Sequence, residues 1–359
     1  MKRRQFLETV SCSVTALGFL SGYWPDALAA SGKPATFRNW CWVHGRRENS
    51  LEGWRQLFSR IQEAGITGVL VSGSSELPAR AAHDLGLQFQ CWIWTLNRNG
   101  DAWVKENHPE WFTVSREGRS SLEHPPYVGY YKWLCPTRAP VRDYLKSQVE
   151  NIARAPNVDG VHLDYVRHSD VILPIGLWSR YNLVQDREYP EFDFCYCDVC
   201  REVFRERIGR DPLESDDPTR DAEWREFRWD SVTNLVRVLT DAVHAQGKQI
   251  SAAVFPTPAV ARRLVRQAWD EWPLDAFFPM IYHSFYNETI RWVGEATAEG
   301  IAALSETKPL FSGLYLPQLT PAELGEAVSL ARSAGAAGVS LFEVGRLSDA
   351  HLRRLKDSL

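Results

Sequence analysis

The chain has 359 residues, of which 44% are hydrophobic and 24% are charged, and its formal net charge at pH 7 is -4. This composition is typical of a globular protein and excludes a disordered or fibrous chain, and the absence of a basic surplus argues against nucleic acid as a partner. The 15 tryptophans stand out beside 2 methionines, and their flat faces suit ligands such as sugar rings.

Residues 1–30 predict an export signal. A basic start at Lys2–Arg4 precedes a mildly apolar stretch, and small residues lead up to Ala30. The segment Arg3–Leu7 resembles a twin-arginine signal. The apolar run is too short and too polar for a bilayer, which needs about 20 apolar residues. We therefore expect a periplasmic or secreted mature chain of residues 31–359, without stable membrane insertion after cleavage.

Short apolar runs alternate with helical patterns along the mature chain. The eight predicted strands are Phe37–Val43, Gly68–Ser72, Gln88–Thr95, Gly160–Tyr165, Gln249–Phe255, Ala276–Tyr282, Leu310–Tyr315 and Ala337–Glu343. The helical patterns between them are Leu51–Ala64, Ala139–Ala153, Trp224–Gln246, Ala259–Trp269, Asn287–Glu299 and Pro321–Ser333. Glycines follow several helical patterns, where a left-handed residue ends a helix, namely Gly65, Gly86, Gly247, Gly300 and Gly335.

This repeated order of helix, glycine and strand indicates parallel strands with crossover helices. Eight such units predict a single α/β domain of the (β/α)8, or TIM barrel, class. A doubly wound sheet is the alternative, but no glycine-rich phosphate loop follows the first strand. Two long connections, at about 96–137 and 167–221, leave the carboxyl ends of the third and fourth strands. We expect them to form a lid and a cleft wall, because barrel enzymes build their sites at that end.

The fourth strand contains the most informative segment, Val158–His168. Alternation along the strand turns Val161 and Leu163 outward and turns His162 and Asp164 into the barrel. An inward carboxylate at the upper rim costs free energy unless it is paired or used. We therefore predict that Asp164 is catalytic; the alternative is a structural carboxylate paired with Arg167 or His168.

The segments Leu134–Thr137, Val141–Leu145, Val158–His168 and Cys195–Phe204 carry a resemblance. They resemble bacterial glycoside hydrolases of the family-10-like and amylase-like (β/α)8-barrel group. The resemblance implies a glycosidase of unassigned substrate, with Asp164 at the reaction centre and with Tyr165 and Arg167 lining or bracing the site. The fifth strand lacks the glutamate that amylase-type barrels usually carry at its end.

A glycosidase usually needs a second carboxyl group opposite the first. Glu343 ends the eighth predicted strand at the correct rim, and we predict it as the second catalytic residue. Simple alternation turns it outward, so that a bulge or bend is needed to aim it inward. Acids in the loops remain as alternatives, namely Glu48, Glu76, Glu123, Asp170, Glu188, Glu191 and Asp193.

Aromatic and histidine side chains are predicted around the barrel mouth, where rings can stack on sugars and imidazoles can donate hydrogen bonds. The expected substrate-binding residues are Trp42, His44, Trp94, Asn97, His162, His168, Tyr282, His283 and Tyr315, together with Tyr165 and Arg167. Trp40 and Trp92 lie deeper in their strands and are expected to fill the core.

Cys195, Cys197 and Cys200 lie within six residues. Disulfides, a zinc site with a fourth ligand and free thiols all remain open, so no metal is predicted. The sequence thus predicts an exported glycoside hydrolase with a carbohydrate substrate and no cofactor; its oligomeric state stays open. A barrel that only binds carbohydrate and a metal-dependent hydrolase, such as a polysaccharide deacetylase, are the alternatives.

Overall fold

The computed structural model describes residues 37–73, 76–304 and 308–358, so the predicted export signal lies outside the described residues. The strands are β1 (Arg38–Val43), β2 (Ile66–Ser72), β3 (Gln88–Trp94), β4 (Gly160–Asp164), β5 (Gln249–Val254), β6 (Ala276–Pro279), β7 (Phe311–Tyr315) and β8 (Gly338–Phe342). The helices are α1 (Leu51–Gln62), α2 (Glu76–Asp84), α3 (Ala102–Asn107), α4 (Ala139–Ala153), α5 (Trp178–Tyr181), α6 (Asp198–Ile208), α7 (Ala222–His244), α8 (Pro258–Val265), α9 (Trp292–Ala303), α10 (Pro321–Ser333) and α11 (Asp349–Asp357). None of these helices is long and apolar enough to cross a bilayer.

The eight strands form one parallel sheet in the order β6-β5-β4-β3-β2-β1-β8-β7. Two parallel bridges, Phe277 with Leu310 and Met280 with Gly313, join β6 to β7 and bring the sheet nearly to closure. Parallel strands place all their carboxyl ends at one rim of such a barrel. The predicted (β/α)8 class and all eight strands are confirmed.

The helix boundaries follow local signals that the sequence contains. Ser50 caps α1 through a hydrogen bond from the Gly53 backbone N–H, and Thr320 and Glu323 form a capping box at the start of α10. The expectation that Gly300 follows a helix is wrong, because α9 continues through it to Ala303. A side chain there would meet Leu310 at 2.8 Å, so close packing accounts for this glycine.

The barrel interior is filled by large aromatic side chains. Trp40 packs edge-on against Phe278 with ring centroids 5.5 Å apart, and Trp42 packs against Trp92 at 4.8 Å. Gly68 on β2 makes room for this packing, because a Cβ there would lie 2.6 Å from the Trp40 ring. Aliphatic residues of the opposite strand faces form two further buried clusters beneath the helices.

The two long connections pack against each other. One runs from the end of β3 to α4 and contains α3, and the other runs from the end of β4 to α7 and contains α5 and α6. An antiparallel bridge joins Ser115 of the first to Phe194 of the second. A buried cluster of aromatic side chains and cysteines, built from both connections, fills the space between them.

Candidate active site

Asp164 is the last residue of β4 and lies at the carboxyl rim of the barrel, with 9% of its surface exposed. Its Oδ2 accepts a hydrogen bond from the Trp92 Nε1 at 3.0 Å, and its Oδ1 accepts one from the Tyr165 backbone N–H at 2.8 Å. Burial outweighs these donors and raises the pKa of Asp164 from 3.8 to about 6. The carboxyl group can therefore hold a proton close to neutral pH.

The backbone directly after Asp164 adopts an unusual conformation. Tyr165 has a φ of 52°, in the left-handed region that bulky residues rarely occupy. This turn ends β4 and directs the Tyr165 N–H onto the Asp164 carboxylate. Such conformations cost of order 1–3 kcal/mol and cluster at functional sites.

The structural alternative for Asp164, an ion pair with Arg167 or His168, does not form. Arg167 instead pairs with Asp170 at 2.9 Å, and its guanidinium lies 4.9 Å from the centroid of the Trp133 ring. Arg167 is buried behind the rim. The resemblance implies that Arg167 either lines or braces the site. Its buried position against Asp170 and Trp133 agrees with bracing.

One wall of the mouth is an aromatic group beside Asp164, formed by Trp94, Tyr130 and Tyr165. The Trp94 ring lies 4.8 Å from the Tyr165 ring and 6.2 Å from the Tyr130 ring. Trp94 is 37% exposed and Tyr130 is 40% exposed. We call this group the first wall; its exposed ring faces are free to stack on a flat ligand.

A second aromatic group comes from the ends of β6, β7 and β8. Tyr282 lies 5.2 Å from Tyr315 between ring centroids, and Tyr315 stacks on Phe342 at 6.2 Å. Burial, and to a smaller extent the Asp164 charge, raises the pKa of Tyr282 well above its usual value. The Tyr282 hydroxyl thus keeps its proton within electrostatic reach of Asp164. We call these three residues the second wall.

Glu343 directly follows β8, and its carboxyl group lies between the ends of β8 and β1. Its Oε2 is 4.0 Å from the His44 Nε2, and its side chain is 19% exposed. The His44 ring in turn lies 5.4 Å from the Trp92 ring, which donates to Asp164. A continuous line of contacts therefore crosses the mouth from Glu343 to Asp164.

Two predicted ligand-binding residues, Trp42 and His162, lie in the barrel interior below this line. Their rings contact each other edge-on at 4.8 Å, and both side chains are almost fully buried. The His162 Nδ1 lies 2.7 Å from the Ser251 hydroxyl, and burial lowers the pKa of His162 to about 3. Both residues therefore belong to the core, whereas we expected them to contact a ligand. They lie below the rim because β1 continues one residue beyond Trp42 and β4 continues two residues beyond His162.

Asn97 and His168 are also buried away from the mouth. Asn97 belongs to the first long connection, where it forms a bridge with Trp133 and accepts a hydrogen bond from the Asn99 backbone N–H at 3.3 Å. His168 packs against α7, where its Nε2 is 3.3 Å from the Ser231 hydroxyl. Burial and nearby arginines lower its pKa to about 3. Both residues order the loops rather than face a ligand.

The four histidines near strand ends do not converge. His44 is exposed at the rim, His162 and His168 are buried at separate places, and His283 is half-buried in the turn after β6. Among the described residues, only four cysteines outside the mouth have their ligand atoms grouped as a metal requires. The alternative of a metal-dependent hydrolase thus lacks a histidine ligand set at the described rim.

Several loop acids that were alternatives for the second carboxylate have cationic partners. Asp170 pairs with Arg167, Glu188 with Arg266, and Asp193 with Arg228. All three acids are largely or fully buried in the second long connection. Their charges are neutralised locally, which makes Glu343 a stronger candidate at the rim than these three acids.

The sequence analysis did not predict that Tyr130 and Phe342 line the mouth, or that Trp92 binds Asp164. Trp92 is buried as expected, but its indole N–H also binds Asp164. The register of β3 and β4 pairs Trp92 with His162 and Trp94 with Asp164, and this pairing was a signal that could have linked Trp92 to the site. Tyr130 carried no comparable signal, because the path of its long loop determines its position.

No protein-family model matches the sequence, and neither does any curated protein. Solved structures do match. The catalytic domain of β-amylase from Paenibacillus polymyxa has a TM-score of 0.62 and 12% identity, over 90% of this chain and 98% of that chain. This chain is a (β/α)8 barrel.

Two further solved structures share this barrel. A β-galactosidase from Halorubrum lacusprofundi has a TM-score of 0.60 and 15% identity over 90% of this chain, which spans 57% of that protein. A chitinase from Chromobacterium violaceum has a TM-score of 0.50 and 9% identity, over 90% of this chain and 99% of that chain. At such identities the likeness establishes a common fold.

Proposed function

We propose that this barrel is a glycoside hydrolase that cleaves O-glycosidic bonds of an oligo- or polysaccharide at Asp164. The observation that carries the proposal is a buried carboxyl group of raised pKa at the barrel rim, beside an exposed aromatic wall. Barrel enzymes hold their reacting groups at this rim. The names of the similar structures, amylase, galactosidase and chitinase, support a carbohydrate substrate.

Asp164 acts as the general acid in this proposal. Leaving-group protonation requires a carboxylic acid that is still protonated near the working pH, which a burial-raised pKa provides. The Trp92 indole and the Tyr165 N–H stabilise the carboxylate that remains after the proton has left. These two hydrogen bonds also fix the orientation of the Asp164 carboxyl group, so that it does not have to rotate during the reaction.

Glu343 is the proposed second carboxylate. Glycosidases pair the acid with a group that either attacks the sugar or activates water. Glu343 is partly exposed at the rim, and the line of contacts through His44 and Trp92 connects it to Asp164. The sugar would bind above Trp92, with its rings against the first and second walls.

The export signal remains a proposal as well. Residues 1–30 carry a basic start and a small-residue end, so we propose a periplasmic or secreted enzyme that needs no organic cofactor. The mature protein should begin near Ser31, and N-terminal sequencing of the protein from the cell exterior or the periplasm checks this.

The experiment is a screen of purified protein against polysaccharides and aryl glycosides, with released reducing ends as the readout. Wild-type protein should act on at least one substrate, and Glu343→Gln should then lose activity by about as much as Asp164→Asn. A loss below about tenfold for Glu343→Gln would remove Glu343 from the mechanism. No release from any glycan by wild-type protein would contradict the proposal.

A barrel that only binds carbohydrate is the second candidate. The observation that favours it is that Glu343 is linked to Asp164 only through His44 and Trp92. The Glu343 carboxyl group and the Arg47 guanidinium both lie beside Gly345, so a cation is close to the proposed second carboxylate. Affinity electrophoresis in glycan-containing gels separates the two functions. Equal retardation of wild-type protein and Asp164→Asn, without hydrolysis by either, would select the binding function.

A further inference from the structure

Four cysteines from distant parts of the sequence meet between the two long connections. Cys135 ends the first connection, just before α4, while Cys195, Cys197 and Cys200 belong to the second connection and the start of α6. We propose that these four residues bind one structural Zn²⁺ ion. The proposal goes beyond the glycosidase function and does not depend on it.

The positions of the sulfur atoms match tetrahedral coordination. All four Sγ atoms lie within 4.8 Å of one another. The Cys135 Sγ is 3.4 Å from that of Cys200 and 3.7 Å from that of Cys197. Zn–S bonds of about 2.3 Å place tetrahedral thiolates roughly 3.8 Å apart. Two disulfides would bring the sulfurs together in pairs and give no reason for all four to converge.

The surroundings of the cluster fit a closed structural site. All four cysteines are buried, and aromatic residues such as Phe204 and Trp224 enclose them. A zinc ion there would have four protein ligands and no open position for water, which distinguishes a structural site from a catalytic one. Its place between the two connections, away from the mouth, agrees with this role.

One backbone donor and one cation would offset part of the negative charge that four thiolates carry around Zn²⁺. The Val114 backbone N–H donates to the Cys195 Sγ at 3.4 Å. The Arg138 guanidinium, which also pairs with Asp198, lies within electrostatic reach of Cys135, Cys195 and Cys197. Partners of this kind orient metal ligands and stabilise their charged form.

The proposed ion would join the two connections behind the first wall. Cys135 is two residues from Trp133, whose ring contacts Tyr165 at 5.5 Å and lies against the Arg167 guanidinium. A cross-link at Cys135 therefore fixes the base of the loop that carries Tyr130. The metal would support the shape of the mouth without touching the substrate.

The test is the metal content of the purified full-length protein, measured by mass spectrometry of the elements. We expect about one zinc ion per chain in wild-type protein and loss of most of it in Cys200→Ser. Cys91→Ala is the matched control, since Cys91 is a buried cysteine in β3 outside the cluster, and it should retain the zinc. Zinc that persists in Cys200→Ser, or iron in its place, would overturn the proposal.

A second measurement on wild-type protein covers the case in which Cys200→Ser does not fold. Alkylation of the denatured, unreduced protein followed by peptide mass spectrometry should find all four cysteines as thiols. Mercurial titration of the folded protein should release one zinc ion as they react. Disulfides among these cysteines, together with protein free of zinc, would refute the zinc site.

Discussion

At the scale of the residue, the chemistry of Asp164 results from two opposing effects. Burial at the end of β4 disfavours the charged carboxylate, and the hydrogen bonds from Trp92 and Tyr165 favour it. Burial prevails, so that the pKa rises to about 6. The Arg167 charge also favours the carboxylate, but Arg167 is paired with Asp170 and does not restore an ordinary pKa. The same side chain in an ion pair would remain ionised and could not donate a proton.

The pH dependence of kcat/KM follows from this pKa. The protonated fraction of a general acid falls as pH rises through its pKa, so kcat/KM should decline by about tenfold per pH unit above about pH 6. A profile measured from pH 4 to pH 9 on the substrate found by the screen checks this. Activity that is lost only below pH 6 would instead make Asp164 a nucleophile or base.

Trp94 provides a prediction for substrate binding. It is the most exposed tryptophan at the mouth and lies against Tyr165, so Trp94→Ala should raise KM by roughly 3- to 10-fold while kcat stays nearly constant. Trp103→Ala is the matched control, because Trp103 is also exposed but stacks on Tyr144 of α4. Equal KM values for Trp94→Ala and wild-type protein would exclude stacking at the first wall.

At the scale of the element, strand alternation predicted the inward direction of His162 and Asp164, because that direction is a property of extended backbone. The backbone beyond a strand end was less predictable. The positions of Tyr165 and Glu343 depend on turns whose backbone angles are set by neighbouring strands. The helix before Gly86 was indicated only by that glycine and was predicted without bounds; the structure gives it as α2, Glu76–Asp84. The convergence of Cys135 with Cys200 depends on how two loops fold together.

The barrel interior gives a prediction on stability. Gly68→Ala would place a Cβ 2.6 Å from the Trp40 ring in a packed interior, so the free energy of unfolding should fall by about 1–3 kcal/mol. Gly100→Ala is the control, because no atom lies within 4 Å of its added Cβ. Urea unfolding monitored by fluorescence measures both variants. Equal midpoints for the two variants would show that the interior tolerates the extra methyl group.

At the scale of the whole molecule, the alternation of eight strands with helices was sufficient to predict the fold. The same barrel supports β-amylase, β-galactosidase and chitinase structures that are 9–15% identical to this chain. The fold therefore does not determine the substrate. Loops that leave the carboxyl ends of the strands determine it, and the longest of these follow β3 and β4 on either side of Asp164.

The catalytic role of Asp164 is tested best by the turnover of Asp164→Asn on a natural glycan. We expect kcat to fall by roughly 100-fold or more while the variant remains folded, because the amide cannot donate the carboxylic proton. Asp159→Asn is the control: this carboxyl group accepts from the Phe89 N–H near the other end of β4, and the variant should turn over nearly as wild-type protein does. Turnover by Asp164→Asn within a fewfold of wild-type protein would exclude Asp164 as the general acid.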